Sequence, residues 1–243
     1  MALSELPGIG PLLDLLCPPR CVFCGGDVDA GSGGDPVTCA ACERLLAGDS
    51  PRCPACGEPL VDACRCGGRS DDWCGIAVLG GYAEGLREAV LRAKHPGNEA
   101  VAAGLAKLLA RKHGQMIRGW GADVVVPVPM HWLRRVTRGT SAADELARGV
   151  AGALGLPCRR LLRRDRATRM QNELPVEDRR ANVIDAFRSR GSVAGVRVLL
   201  VDDVTTTGAT LAGCRRALVR AGAAAVYAAV VARADRASPG DSV

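Results

Sequence analysis

The segment Val198-Leu199-Leu200-Val201-Asp202-Asp203-Val204-Thr205-Thr206-Thr207-Gly208-Ala209-Thr210-Leu211 carries the densest information in the chain. Its first four residues are apolar and read as a strand buried on both faces, the pattern of a parallel sheet. The strand delivers two adjacent carboxylates, Asp202 and Asp203, at its carboxyl end. A Thr/Gly loop follows and runs straight into a helix. In an open parallel sheet, ligands bind at the carboxyl ends of strands. The loop and helix N-terminus offer free backbone N–H groups, hydroxyls and a favourable dipole, which together form a phosphate cradle. Gly208 lets the backbone come close to the anion. There is no Lys-Ser/Thr ending, so the loop is not a Walker A loop. Carboxylates accept hydrogen bonds from a vicinal diol. Phosphate on one side and a diol on the other describe a ribose 5-phosphate.

Outward from this segment, short apolar runs alternate with helical spacing. Gly75 to Tyr82, Ala122 to Pro129, Val196 to Val201 and Ala225 to Ala232 read as strands. Residues 84–94 and 99–114 read as helices separated by the turn His95-Pro96-Gly97-Asn98. Ser141 with Asp144 resembles a capping box for a helix through about Leu154. Ala209 to Ala221 reads as a helix ended by Gly222. The expected class is α/β, a mostly parallel sheet flanked by helices, over residues 75–243.

Residues 1–74 differ in kind. They hold ten of the twelve cysteines, and their 5 basic and 11 acidic side chains give a net −6 against +12 for the rest. The spacing is Cys21-x2-Cys24, fourteen residues, Cys39-x2-Cys42, ten residues, Cys53-x2-Cys56, seven residues, Cys64-x-Cys66. Two C-x2-C knuckles supply the tetrahedral thiolate set that zinc prefers, and four cysteines leave no open position for water, so the metal is structural. The expectation is a small N-terminal zinc-ribbon domain with sequential sites, Cys21/Cys24/Cys39/Cys42 and Cys53/Cys56/Cys64/Cys66. Interleaved pairing, substitution of a ligand by Cys17 or Cys74, and a disulfide-rich module remain alternatives. Zinc supplies the folding energy of such a loop-rich segment. Cys158 and Cys214 read as small core side chains.

An apolar share of 48% excludes a mostly disordered chain. No apolar run approaches the length of a membrane span. The N-terminus lacks a basic n-region and makes a poor signal peptide, so the expected location is the cytoplasm.

The strand-Asp-Asp-loop segment resembles the signature of type I phosphoribosyltransferases, which bind 5-phosphoribosyl 1-pyrophosphate (PRPP). The whole chain resembles the ComF family, in which a cysteine-rich zinc head precedes such a domain. The resemblance rests on Cys21-Val22-Phe23-Cys24-Gly25, Cys53-Pro54-Ala55-Cys56-Gly57, Pro127-Val128-Pro129, Arg138-Gly139, Thr168-Arg169-Met170-Gln171, Arg179-Arg180-Ala181-Asn182-Val183 with Ala186-Phe187, and the loop. It implies that Asp202 and Asp203 hold the ribose diol, directly or through magnesium, and that Val204, Thr205, Thr206, Thr207, Gly208, Ala209 and Thr210 bind PRPP around its 5-phosphate. It implies that Arg134, Arg135, Arg138 and Lys94 face pyrophosphate, and that Thr168 and Gln171 lie in a hood over the site. The implied chemistry is displacement of pyrophosphate from ribose C1 by a nucleophile that the sequence does not identify.

One departure stands out. The family commonly shows Arg-Gly-Phe-Asn-Gln where this chain has Arg138-Gly139-Thr140-Ser141-Ala142. Loss of those amides leaves a PRPP-binding regulator without chemistry as a rival reading. A third reading is a competence or DNA-uptake factor, with the zinc head and basic surface meeting partner proteins or single-stranded DNA. The run Arg159 to Arg169 holds six arginines in eleven residues and could neutralise a nucleic-acid backbone. No aromatic interrupts the run, so stacking platforms for single strands are unsupported, and a solvated or pyrophosphate-facing segment is the preferred reading, since charged faces are common. The oligomeric state is left open.

Overall fold

A computed structural model of the chain describes residues 18–28, 38–48, 50–60, 64, 66, 73–130, 142–164 and 186–234. In chain order the elements are α1 (Ala40–Ala47), β1 (Ile76–Gly81), α2 (Glu84–Ala93), α3 (Glu99–Gly119), β2 (Val124–Pro127), α4 (Ala142–Leu154), β3 (Leu162–Arg164), β4 (Phe187–Ser189), β5 (Arg197–Thr205), α5 (Ala209–Arg220) and β6 (Ala225–Arg233).

Four strands form a parallel sheet in the order β1-β6-β5-β2. Successive strand residues point to opposite faces, and both faces here are apolar. Leu79, Leu199, Val201, Ala229 and Val231 pack with Leu86 and Val90 of α2, Leu105 and Leu109 of α3, and Leu146 and Val150 of α4. On the other face Val198, Leu200, Ala228 and Val230 pack with Leu211, Cys214 and Leu218 of α5 and with Leu162 and Phe187 of β3 and β4. The α/β class expected from the alternation is the observed one. β3 and β4 form a separate antiparallel pair that the apolar pattern does not announce. α3 continues to Gly119, five residues past the expected end, and β5 continues through the acid pair to Thr205. The proposed Ser141 cap falls outside the described residues.

The cysteine segment is built on a repeated knuckle. In the first copy Gly25 N–H donates to Cys21 O at 2.8 Å, Cys21 N–H to Gly26 O at 2.8 Å, and Val28 N–H to Pro19 O at 3.3 Å. In the second, Gly57 N–H donates to Cys53 O at 2.7 Å, Cys53 N–H to Glu58 O at 2.9 Å, and Leu60 N–H to Pro51 O at 2.8 Å. Each turn closes on a glycine with positive φ, 72° at Gly25 and 76° at Gly57, a conformation open to glycine at little cost. Arg20 and Arg52 repeat too, each donating through Nη1 to the knuckle glycine's carbonyl.

These knuckles straddle the sheet's edge strand. The first docks on the α2/α3 face: Phe23 and Val22 lie against Gly104 of α3, and Arg92 of α2 donates to the Phe23 and Val22 carbonyls. Leu46 of α1 is buried in the same core. The second docks on the α5 face, with Gly57 against Val78 and Ile76. The second knuckle also meets the start of β1, where Ile76 N–H donates to Pro54 O at 2.7 Å. From α3, Lys112 reaches the Leu79 carbonyl at 3.0 Å and His113 the Val78 carbonyl at 2.9 Å. An edge strand otherwise presents unpaired backbone groups to any other chain; here side chains and the knuckle segment meet them. Burial keeps His113 below the usual histidine range.

Candidate functional site

β5 and its continuation set the geometry. Pairing with β6 carries the strand past the acids, joining Asp202 to Val230 and Thr205 to Arg233 in register. The chain then bends through Thr206, Thr207 and Gly208, and Gly208, at φ 77°, caps α5. Ala209 N–H lies 3.4 Å from Thr207 Oγ1.

The alternation of the strand separates the two acids. Asp203 turns toward the α2 side, where Lys94 at the end of α2 places Nζ 3.1 Å from its Oδ2. Asp202 is buried, 9% exposed, on the α5 side. Burial pushes its carboxyl well above the usual range, and the neighbouring charge of Asp203 adds to the rise. Burial also pushes the Cys214 thiol up, and the charge of Asp202 reinforces it, so this cysteine is an inert core group. Each acid also accepts a backbone N–H through Oδ1: Asp203 N–H to Asp202 at 3.0 Å and Val204 N–H to Asp203 at 2.7 Å. The pair is therefore unequal, one carboxyl buried and raised, the other held by a lysine.

Thr205, Thr207, Gly208 and Ala209 line one wall of a cavity of 420 Å³. Trp73, Arg216 of α5 and Arg233 at the end of β6, which sequence reading did not single out, also line it, as does the zinc-ligand candidate Cys56 of the second knuckle. Asp202 and Asp203 precede this wall and are not part of it. Thr206 is exposed, Thr210 half-buried, and Val204 packs on the α2/α3 side. Arg134, Arg135, Arg138, Thr168 and Gln171 lie outside the described residues. Arg216 was legible in principle: it follows Ala212 by four residues and Ala209 by seven, one stripe of a helix.

The cysteines form two groups, Cys21/Cys24/Cys39/Cys42 and Cys53/Cys56/Cys64/Cys66, with the sulfurs of each within 4.8 Å of one another. Grouping is thus sequential, not interleaved, and all eight are free thiols. A tetrahedral zinc with Zn–S near 2.3 Å needs sulfurs about 3.8 Å apart. Cys24–Cys39 and Cys53–Cys66 both stand at 3.8 Å. Cys56–Cys64 at 3.2 Å and Cys64–Cys66 at 2.9 Å are tighter, the latter across a one-residue spacer. Backbone N–H groups point at the sulfurs, as at Gly26 to Cys24 and Cys39 to Cys21, both 3.4 Å. Burial raises the Cys21 thiol, but N–H donors from Cys24, Cys39 and Phe23 outweigh it and hold the group at about 6. Burial and the neighbouring cysteines push Cys42 up. Cys53, at about 7, and Cys56, pushed up, repeat the contrast. Four sulfurs this close resist joint ionisation until a cation offsets their charge. Both sets can hold zinc. Cys74 belongs to neither. Among the described residues no helix is long and apolar enough to cross a membrane.

The sequence pattern of the phosphoribosyl transferase domain matches residues 97–242, more than half of the chain. The fold and the loop thus define a protein with a phosphoribosyltransferase-type domain. The chain is 32% identical over 196 residues to the DNA utilization protein YhgH of Salmonella typhi, covering 77% of this chain and 86% of that one. It is 29% identical over 229 residues to competence protein F of Haemophilus influenzae, covering 88% and 97%. The chain belongs to the family of these proteins, the ComF family. Among solved structures, the glutamine PRPP amidotransferase of B. subtilis complexed with ADP and GMP is similar at 25% identity over 55% of this chain, with a TM-score of 0.39. This chain spans 26% of that enzyme's length.

Proposed function

We propose that this protein binds PRPP at the carboxyl end of β5 and transfers its 5-phosphoribosyl group to a nucleophile, releasing pyrophosphate. The observation that carries the reading is the sequence of features at the carboxyl end of this interior strand. A lysine-held carboxylate, Asp203, is followed directly by the Thr205–Gly208 turn and the start of α5. In this reading Asp202 and Asp203 meet the ribose hydroxyls. Val204 to Thr210 surround the 5-phosphate, with the Gly208 turn and the first N–H groups of α5 facing it. Lys94, Arg134, Arg135 and Arg138 face the pyrophosphate, and Thr168 and Gln171 belong to the covering hood. A bond forms between the nucleophile and ribose C1 as the bond from C1 to the pyrophosphate oxygen breaks, and pyrophosphate leaves with the electron pair. The nucleophile gives up a proton. Magnesium bound with PRPP supplies charge stabilisation at the pyrophosphate oxygens. Arginine and lysine cations act on the same developing charge.

Residues 1–74 form the metal-stapled head and 75–243 the transferase-type unit in this reading. Zinc in both cysteine sets is structural, and reduced thiols of this density suit the cytoplasm. The test is pyrophosphate release from PRPP with magnesium and a panel of nucleobases. Release that requires a base supports transfer. Tight binding without turnover supports a regulator instead, consistent with Thr140-Ser141-Ala142 standing in place of the family's aromatic and amides.

A second reading is handling of single-stranded DNA. It is favoured by relatives named for DNA utilization and competence, and by the arginines Arg159, Arg160, Arg163, Arg164, Arg188 and Arg190 on and beside the β3–β4 pair. Affinity for single-stranded DNA that falls steeply with added salt supports it; salt-insensitive or absent binding rejects it.

A further inference from the structure

The cavity beside the loop contains two guanidinium groups that the acid pair and the loop do not account for. Arg216 stands on the stripe of α5 that also presents Ala209 and Ala212 to this cavity. Long side chains on a helix lean toward its N-terminus. Arg216 therefore reaches back along Ala212 toward Gly208 and Thr207, with which it shares the cavity. Its Nε is buried and has no hydrogen-bond partner among the described residues. The same cavity is lined by Arg233, 9% exposed, whose Nη2 pairs with Glu58 of the second knuckle while its Nε is likewise buried without a partner among the described residues.

A buried N–H without an acceptor is costly, and most such groups in native proteins have a partner. Two of them lining one cavity, each on a cation, call for an acceptor that carries negative charge. Nothing acidic lies in the first turn of α5 to supply it. Thr207 of the loop lines the same space.

We infer that Arg216, with Arg233 in the same lining, is an oxyanion-binding group of this cavity. It grips the phosphate of a phosphate monoester from the side of α5, while the Thr207–Gly208 turn meets it from the end. The inference rests on the phosphate-binding reading of the loop and adds to it a residue outside the loop. It also gives the second cysteine set a share in the site. Cys56 and Trp73 wall the cavity, and Gly57 and Glu58 hold that wall against β1 and Arg233.

The test is calorimetric titration of the full chain, zinc retained, with inorganic phosphate and separately with PRPP plus magnesium. Wild type is compared with Arg216→Ala and Arg216→Lys. The expected result is a loss of about tenfold or more in affinity for both probes in Arg216→Ala, the usual scale for a hydrogen bond to a charged group. Arg216→Lys is expected to fall between, since lysine keeps the charge without the fork. Thermal unfolding without ligand separates this from a structural role. Removing a buried donor that lacks a protein partner leaves the melting temperature unchanged or raised. If Arg216→Ala does not fold, the lysine variant carries the comparison. Affinities within twofold of wild type for both probes overturn the inference. PRPP bound equally by wild type and Arg216→Ala leaves the transferase reading intact and removes this one. Arg216-dependent phosphate binding with no PRPP binding does the reverse. Failure of wild type to bind either probe overturns both.

Discussion

Lys94 Nζ lies 3.1 Å from Asp203 Oδ2, joining the end of α2 to the carboxyl end of β5. Neither residue is close to the other in sequence. Parallel pairing across β1, β6 and β5, with α2 packed on one face, is what brings them together. Both side chains are mostly shielded, 27% and 16% exposed. A partly shielded pair is worth more than a surface contact and less than a fully buried one. Lys94→Ala is expected to cost about 1–2 kcal/mol. A double-mutant cycle with Asp203→Asn, read by denaturant unfolding, should return a favourable coupling. Additive effects would show that the contact does not contribute.

Asp202 makes a pH prediction. Its carboxyl is raised in the folded protein, chiefly by burial, whereas an unfolded aspartate titrates near 3.9. The folded state thus keeps a proton that the unfolded state has released. Stability from this group is greatest below about pH 4 and declines as pH rises toward the folded value. Asp202→Asn removes the cost of charging. Urea midpoints at a series of pH values should show the variant more stable than wild type at pH 7, with the gap closing toward pH 3. An asparagine variant less stable at pH 7 would contradict the burial argument.

The two knuckle glycines separate backbone from packing. Both have positive φ, but a Cβ at Gly25 meets nothing within 4 Å, whereas one at Gly57 meets Val78 Cγ2 at 2.7 Å. Gly25→Ala should cost about 1 kcal/mol from the backbone alone. Gly57→Ala should cost that plus about 1–3 kcal/mol of overpacking. Equal melting temperatures for the two variants would mean that the second knuckle does not dock on β1 as described.

Metal content follows from the sulfur geometry. Native mass spectrometry is expected to find two zinc ions per chain, and Cys39→Ser with Cys42→Ser to leave one. The first set is expected to matter more for stability, because Cys21 and Cys42 belong to the apolar core around α2 and α3. A chain isolated without zinc that melts at the same temperature would contradict this.

What could be read ahead of the structure was local. The run Val198 to Val201, the acid pair and Gly208 identify a strand, a site and a turn, because each depends on neighbouring residues alone. β5 ran on to Thr205 because β6 offered pairing partners as far as Arg233, which no local signal encodes. α3 ran on through Gly114 because Lys112 and His113 found β1 carbonyls and Ile117 found the core. Two arginines of the run, Arg163 and Arg164, became part of β3, where Arg164 lies over the Phe187 ring at 5.4 Å, a contact between distant segments. The cysteine spacing foretold two sets and hid helix α1, whose N-cap is Cys39 itself. The straddling of β1 depends on room left by Gly104 and the fit of Gly57, and such fits are properties of the packed chain.

The most direct test of the account is calorimetric titration with PRPP and magnesium of the wild-type chain and of the Asp202→Asn, Asp203→Asn double variant. The account predicts saturable one-to-one binding by wild type. It predicts no detectable binding by the variant at concentrations that saturate wild type, with zinc content and far-UV circular dichroism unchanged. Equal affinity in the two proteins, or no PRPP binding by wild type, would contradict it.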